Sequence, residues 1–195
     1  MKNDVAVVIL AGGEGSRIGG DKPLRRLGGE RLIDQAMRHG RRWSPLVAVA
    51  ARNPAQVKSA GVPVIIDEHD VAGPLGGLIA ALTFGERSGC DFVLSIPADM
   101  PFLPPDLLER LRSGIGECGC AIAASDGQLH PICGLWRTAA LDRVGIYLAG
   151  ESRSLRGFAA MIGFRETDWP VEPADPFFNI NTAEDLAEAS RRAGN

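Results

Sequence analysis

The sequence predicts an α/β fold: a Rossmann-like, mostly parallel sheet with helices on both faces. Short apolar runs alternate along the chain with stretches of helical length. The first run, Val5-Ala6-Val7-Val8-Ile9-Leu10, is continuously apolar and rich in β-branched residues, as a strand buried on both faces must be. Strands that alternate with helices are joined by right-handed crossovers, which keep the sheet parallel and cover both faces.

Taken in order, strands are predicted over residues 5–10, 46–50, 62–66, 92–96 and 119–124. Helices are predicted over 31–42, 74–87, 104–112 and 183–192, and Pro74 and Pro104 stand at the head of two of them. Proline suits a first helical turn, because its missing N–H would have no partner there and its φ is already helical. Segments 132–136 and 177–180 predict later, antiparallel strands. No repeat, low-complexity tract or long linker divides the chain, so one domain over residues 1–195 is expected.

Composition narrows the classes of function. A chain of 195 residues buries about 70% of its unfolded surface, so its core needs no disulfide or metal staple. The charge is only −3, with Lys and Arg spread along the chain, which argues against a nucleic-acid partner held by phosphate neutralisation. The six or seven apolar residues after Asp4 are too few for a secretory segment and far below the roughly 20 of a membrane span. A cytoplasmic protein with no membrane partner is expected. Cys90, Cys118, Cys120 and Cys133 form no CxxC pair and have no histidine at zinc-site spacing, so they read as reduced core thiols; a metal role for Cys118 and Cys120 is the alternative.

In an open α/β sheet, ligands bind outside the carboxyl ends of the strands. Three polar segments follow predicted strands directly: LAGGEGSRIGGDKP, IIDEHDVAGPLGG and LSIPADMPF. They should converge on one cleft. Glycines make up 24 of the 195 residues, about 12% against a usual 7% or so. Seven of them, Gly12, Gly13, Gly15, Gly19, Gly20, Gly28 and Gly29, fall in or just after the first segment. Backbone amides there, with Arg17 and Lys22, can form a nest for a triphosphate. A flexible strand-to-helix connection is the alternative. Two familiar phosphate loops fail: GxGxxG would need Gly at 18, where Ile18 stands, and a Walker A motif would need Lys at 21 and Ser or Thr at 22, where Asp21 and Lys22 stand.

The second segment puts Asp67 at a strand end and then opens a helix with GPLGG, whose Gly76 and Gly77 let a flat ring or a phosphate approach unpaired amides. The same residues are also plain helix-start signals, and His69 and Asp70 read as solvated. The third segment carries Asp99 on the lip of a central strand, where a carboxylate facing a phosphate cradle can hold Mg²⁺, or can serve as a turn residue before the helix at Pro104. Asn179 and Asn181 share a face if FFNINT is extended, as contacts for a second substrate or a metal. Against this, Thr182 with Asp185 resembles a helix capping box. His130 reads as structural or as a ligand contact. Arg153 and Arg156 face either an anionic substrate or water.

LAGGEGSRIGGDKP, GPLGG, PADMPFLPPDL, HPICGLW and FFNINTAEDL, in this order and spacing, resemble the molybdenum cofactor guanylyltransferase family, MobA, over nearly the whole chain. LAGG with R-x-GG and DK is shared by nucleotidyltransferases broadly, whereas GPLGG and NIN narrow the likeness. Cytidylyltransferases for the same cofactor tend to carry LAAG and a serine-containing segment, which this chain lacks. Many relatives have one residue between Gly-Gly and Asp-Lys and a glycine after the lysine; here there is none, and Pro23 follows Lys22.

The resemblance implies a fold of the nucleotidyltransferase type, in which Leu10, Ala11, Gly12 and Lys22 contact GTP, Asp67 the nucleotide, and Asp99 both nucleotide and Mg²⁺. A nucleotide-contacting asparagine after the second strand corresponds to Arg52 or Asn53, with Asn53 favoured. The implied reaction is transfer of GMP from GTP to the terminal phosphate of molybdopterin with release of pyrophosphate, with Lys22, Arg17 and Asp99 as the catalytic set. Molybdoenzymes or other proteins of cofactor biosynthesis are the implied partners. A cytidylyl or sugar-nucleotide transferase with the same cradle, or a non-catalytic nucleotide-binding adaptor, are the alternatives.

Overall fold

The computed structural model describes residues 4–12, 22–57, 61–67, 71 and 73–194. Strand β1 (Val5–Leu10) is followed by a hairpin of two short strands, β2 (Arg26–Leu27) and β3 (Glu30–Arg31), and by helix α1 (Leu32–Trp43). Then come β4 (Val47–Ala51), β5 (Val64–Ile66), α2 (Pro74–Arg87), β6 (Phe92–Pro97) and α3 (Leu107–Gly114). The chain continues through β7 (Cys120–Ser125), β8 (Gln128–Arg137), α4 (Val144–Leu148), α5 (Leu155–Ile162), β9 (Phe164–Trp169) and α6 (Ala183–Arg192).

Seven strands form one sheet in the order β5-β4-β1-β6-β8-β7-β9, and β8 alone runs antiparallel to its neighbours. The apolar run of β1 is shared between two cores. Val5, Val7 and Ile9 face α1 and α3, while Ala6 and Val8 face α2 and the elements around α4 and α5. Such two-sided burial is why the run shows no polar alternation. A third, smaller cluster joins α6 to the β2–β3 hairpin through Leu27, Leu32, Ile180 and Ala189.

Strand β8 is interrupted where it passes the carboxyl end of β6. Its register against β7 jumps between Ile122, opposite Gly134, and Ala123, opposite His130. Residues 131–133 are thus left as a bulge, and Pro131, which has no N–H to donate, suits that place. Ser95 fastens the bulge: its hydroxyl donates to the Ile132 carbonyl at 2.7 Å and accepts from the indole N–H of the fully buried Trp136 at 2.9 Å.

Two expectations are corrected. Residues 177–180 form no strand. Asp175 forms an Asx turn, its carboxylate accepting from Phe177 N at 2.9 Å, and the amide of Ile180 goes to the Asp99 carbonyl at 3.0 Å. Pro104 does not head a helix: α3 starts at Leu107, whose amide closes a turn onto the Pro104 carbonyl at 3.1 Å. Pro74 does occupy the first turn of α2. None of the four cysteines is in a disulfide; burial raises Cys120 to about 12, and burial together with the nearby Asp99 charge also raises Cys133. No group of three or more His, Cys, Asp or Glu among the described residues is placed to hold a metal, and no described helix is long and apolar enough to cross a membrane.

The Ser95 hydroxyl generates a stability prediction. Ser95→Ala takes the hydroxyl partner from the buried Trp136 indole N–H and from the half-buried Ile132 carbonyl, and should lower unfolding free energy by about 1–3 kcal/mol in urea titrations.

Candidate active site

From β1 the chain winds outward through β4 and β5, and α2 then carries it back to β6 on the other side of β1. The loops at this reversal part to leave a crevice, as the geometry of open α/β sheets requires. A cleft of about 250 Å³ lies there, floored by Leu10, Ala11 and Gly12 at the end of β1 and by Pro97 and Ala98 at the end of β6. Ile132, thrown out by the β8 bulge, lines its apolar side.

Gly12 and Asp67 fit each other. Asp67, 6% exposed, continues the pairing of β5 through its amide to the Ala51 carbonyl at 3.1 Å. A Cβ on Gly12 would fall on one oxygen of the Asp67 carboxylate. Glycine at position 12 therefore makes room for an anionic group on the cleft wall. The start of α2 forms the adjoining wall: Gly73, at φ 75°, turns the chain into the helix, and Gly73, Pro74 and Gly77 line the cleft while Gly76 is buried in the helix. The GPLGG segment thus serves as helix start and cleft wall together. Arg52 also lines the cleft, whereas Asn53 is exposed and uses its side-chain oxygen to accept from Ala55 N at 2.9 Å, opening a 3-10 turn.

Lys22 and Asp99 meet across the mouth. They form an ion pair with side chains 14% and 17% exposed. The ammonium also donates to Asn181 Oδ1 at 2.8 Å and to Asn179 Oδ1 at 3.5 Å. The other oxygen of Asp99, Oδ1, is buried without a hydrogen-bond partner. Lys22 begins a 3-10 turn with a buried Pro23, and Asp99 follows β6 through Pro97. The asparagines are fixed by their neighbours: Phe177 and Ile180 are buried pegs, and the Ile180–Asp99 backbone bond ties this segment to the β6 loop. At its far end the capping box is present, with Thr182 Oγ1 accepting from Asp185 N and Asp185 Oδ2 accepting from the amides of Thr182 and Asn181. Asn181 therefore uses its backbone in the cap and its side chain on Lys22.

His130 packs beside this segment rather than in the cleft. Its ring stacks on Phe177 at 4.7 Å, and Nε2 lies 2.8 Å from the Ser125 hydroxyl, which donates to Asp175 at 3.0 Å. Because that hydroxyl's one hydrogen goes to the carboxylate, Nε2 is the donor in the histidine contact. Burial lowers the imidazole pKa, and Asp175 partly opposes the shift. Arg153 donates to the carbonyls of Leu148, Gly150 and Ser152, and Arg156 is exposed on α5; neither lines the cleft. Gly13, Gly15, Arg17, Gly19, Gly20, His69 and Asp70 lie outside the described residues. Gly73, Pro97 and Ile132 were not among the sequence candidates. The Gly-Pro pair at a helix start signals the first, and Pro131 inside an apolar run signals the bulge that exposes the last.

The model of the family described as MobA-like NTP transferase domain matches residues 7–167. A molybdenum cofactor guanylyltransferase of Cereibacter sphaeroides is 42% identical over 184 residues, covering 93% of each chain. One from Nitrobacter hamburgensis is 39% identical over 194 residues, covering 95% of this chain and 93% of its own. Among solved structures, molybdopterin-guanine dinucleotide biosynthesis protein A of Archaeoglobus fulgidus is 26% identical with a TM-score of 0.76, covering 97% of this chain and 98% of that one. Fold and crevice together are those of an α/β nucleotidyltransferase. Within that class, the chain belongs to the MobA-like NTP transferase family.

Two predictions come from these contacts. Gly12→Ala should cost about 1–3 kcal/mol by overpacking, and most of that cost should vanish in an Asp67→Ala background, as a double-mutant cycle of unfolding measures. The Asp185 carboxyl is held below its ordinary range, first by the amide of Asn181 and also by Thr182. A lowered folded pKa stabilises above the unfolded value and is lost as pH falls through the folded one. The gap in melting temperature between wild type and Asp185→Ala should accordingly shrink as the pH is taken from about 7 to about 3.

Proposed function

We propose that this chain transfers GMP from GTP to the terminal phosphate of molybdopterin, releasing pyrophosphate. The observation that carries the reading is the meeting of Lys22, Asp99, Asn179 and Asn181 at the mouth of a crevice whose floor is Leu10, Ala11 and Gly12. The names of the curated relatives, at 42% and 39% identity over nearly full length, supply the nucleotide and the acceptor.

The attacking group is a phosphate monoester, whose second pKa near 6 leaves it largely dianionic at neutral pH. No protein base is needed, and the chain's own task is to align two anions and offset their repulsion. Lys22 places a point charge on the triphosphate. Backbone groups of Leu10, Ala11 and Gly12 and the amides at the start of α2 line the nucleotide's path, with Asp67 as an acceptor on the wall. Asn179 and Asn181 present amide groups toward the second substrate or a metal.

The residues fit Mg²⁺. Asp99 keeps one buried oxygen without a hydrogen-bond partner, and its other oxygen shares the Lys22 ammonium with two asparagine oxygens, the hard donors this ion takes while retaining water and phosphate ligands. When bound, the ion would neutralise charge on the reacting phosphates.

Incubation with each nucleoside triphosphate, Mg²⁺ and molybdopterin, with the product identified by mass, tests the reading. The guanine dinucleotide and pyrophosphate should form from GTP, and a preference for CTP or a sugar phosphate acceptor would replace the proposal. Asp99→Asn keeps size and removes the charge, and should lower kcat by roughly 10² or more and raise the Mg²⁺ needed for half-maximal rate. A folded variant with the parent's rate and Mg²⁺ dependence would move the metal role to Asp67.

A further inference from the structure

The Lys22 ammonium has three N–H donors, and three side-chain oxygens surround it: the Asp99 carboxylate, Asn181 Oδ1 and Asn179 Oδ1. One negative charge and two neutral carbonyl oxygens make a donor set as suited to a small divalent ion as to an ammonium. The pieces are also independently anchored. Lys22 sits at the start of a turn closed by Arg25 N on its own carbonyl at 3.2 Å. The asparagines are pinned by the Ile180–Asp99 backbone bond and by Asp185. Only the four-carbon stem of the lysine is free to swing.

We propose that Lys22 determines the form in which the nucleotide is accepted, because its ammonium holds the seat that a divalent cation would take on Asp99. A cation arriving alone must expel the ammonium from Asp99 and leave it beside a like charge. A metal–triphosphate chelate supplies the replacement cation together with phosphate oxygens to which the ammonium can transfer. The tethered ammonium thus acts as a competitor for the free ion and as a recruiter for the chelate. Metal and nucleotide then strengthen each other's binding by the same factor, since linkage is reciprocal. This rests on the assignment of Asp99 to a metal, and it adds a selective role for Lys22 that the assignment does not require.

The test uses Mn²⁺ alone, with no nucleotide, its free concentration read by electron paramagnetic resonance. Lys22→Met keeps an unbranched stem and removes the charge; Lys22→Gln is the second variant. Both should bind Mn²⁺ at least about tenfold more tightly than wild type, within the usual range of coupling between sites, and adding Asp99→Asn should abolish the gain. Equal Mn²⁺ affinity in wild type and both variants, still lost with Asp99→Asn, would overturn the role of Lys22 while leaving the metal site standing. Binding indifferent to Asp99→Asn would overturn both.

Discussion

The contact between Lys22 and Asp99 is the constraint around which the mouth of the crevice is arranged. A charge alone in so sheltered a place would be strongly unfavourable, and a pair is tolerated only when geometry and extra hydrogen bonds are supplied. The two asparagines supply those bonds. Their own placement draws on the buried Phe177 and Ile180, the backbone bond from Ile180 to Asp99, and the cap of α6. A turn before α1, a loop after β6 and the segment leading into α6 converge in this way on one ammonium.

The sheet supports that convergence by its order of strands. Because β1 lies between β4 and β6, the loops after β1 and β6 leave side by side, and Gly12 and Asp99 reach the same opening. The antiparallel β8 brings its beginning, rather than its end, to this edge. The bulge at residues 131–133 then turns Ile132 into the cleft as an apolar wall.

Where burial is two-sided, the sequence states it plainly. Strands β1 and β4 are continuous apolar runs, β6 is one broken only by Ser95, and α2 and α6 carry start signals whose chemistry is local. Strand β9, FRETDW, was not legible because it is an edge strand with mostly polar, accessible side chains. Residues 177–180 look like a strand because their apolar side chains are spaced for burial, yet they serve as pegs in different clusters and their amides bond elsewhere. Lys22, Asp99, Asn179 and Asn181 were legible as polar groups beside predicted strand ends. Which of Arg52 and Asn53 faces the cleft was not, since strand alternation ends at Ala51 and a turn follows whose geometry the residue types do not fix. That Gly12 and Asp67 exclude each other's atoms is a tertiary fact with no local signature.

The small cluster beneath α6 separates the durability of the sheet from the competence of the opening. Its buried members are Leu27, Leu32, Ile180 and Ala189, few beside the cores on the two sheet faces. Units with few buried contacts are the first to open in native-state fluctuations. Release of α6 would strip the backbone amide of Asn181 from its cap and remove Ile180 from its seat, while every strand of the sheet kept its partners. Amide exchange along residues 180–186 is consequently a gauge of how often the opening is assembled, and loss of activity on warming is set to precede the melting of the fold.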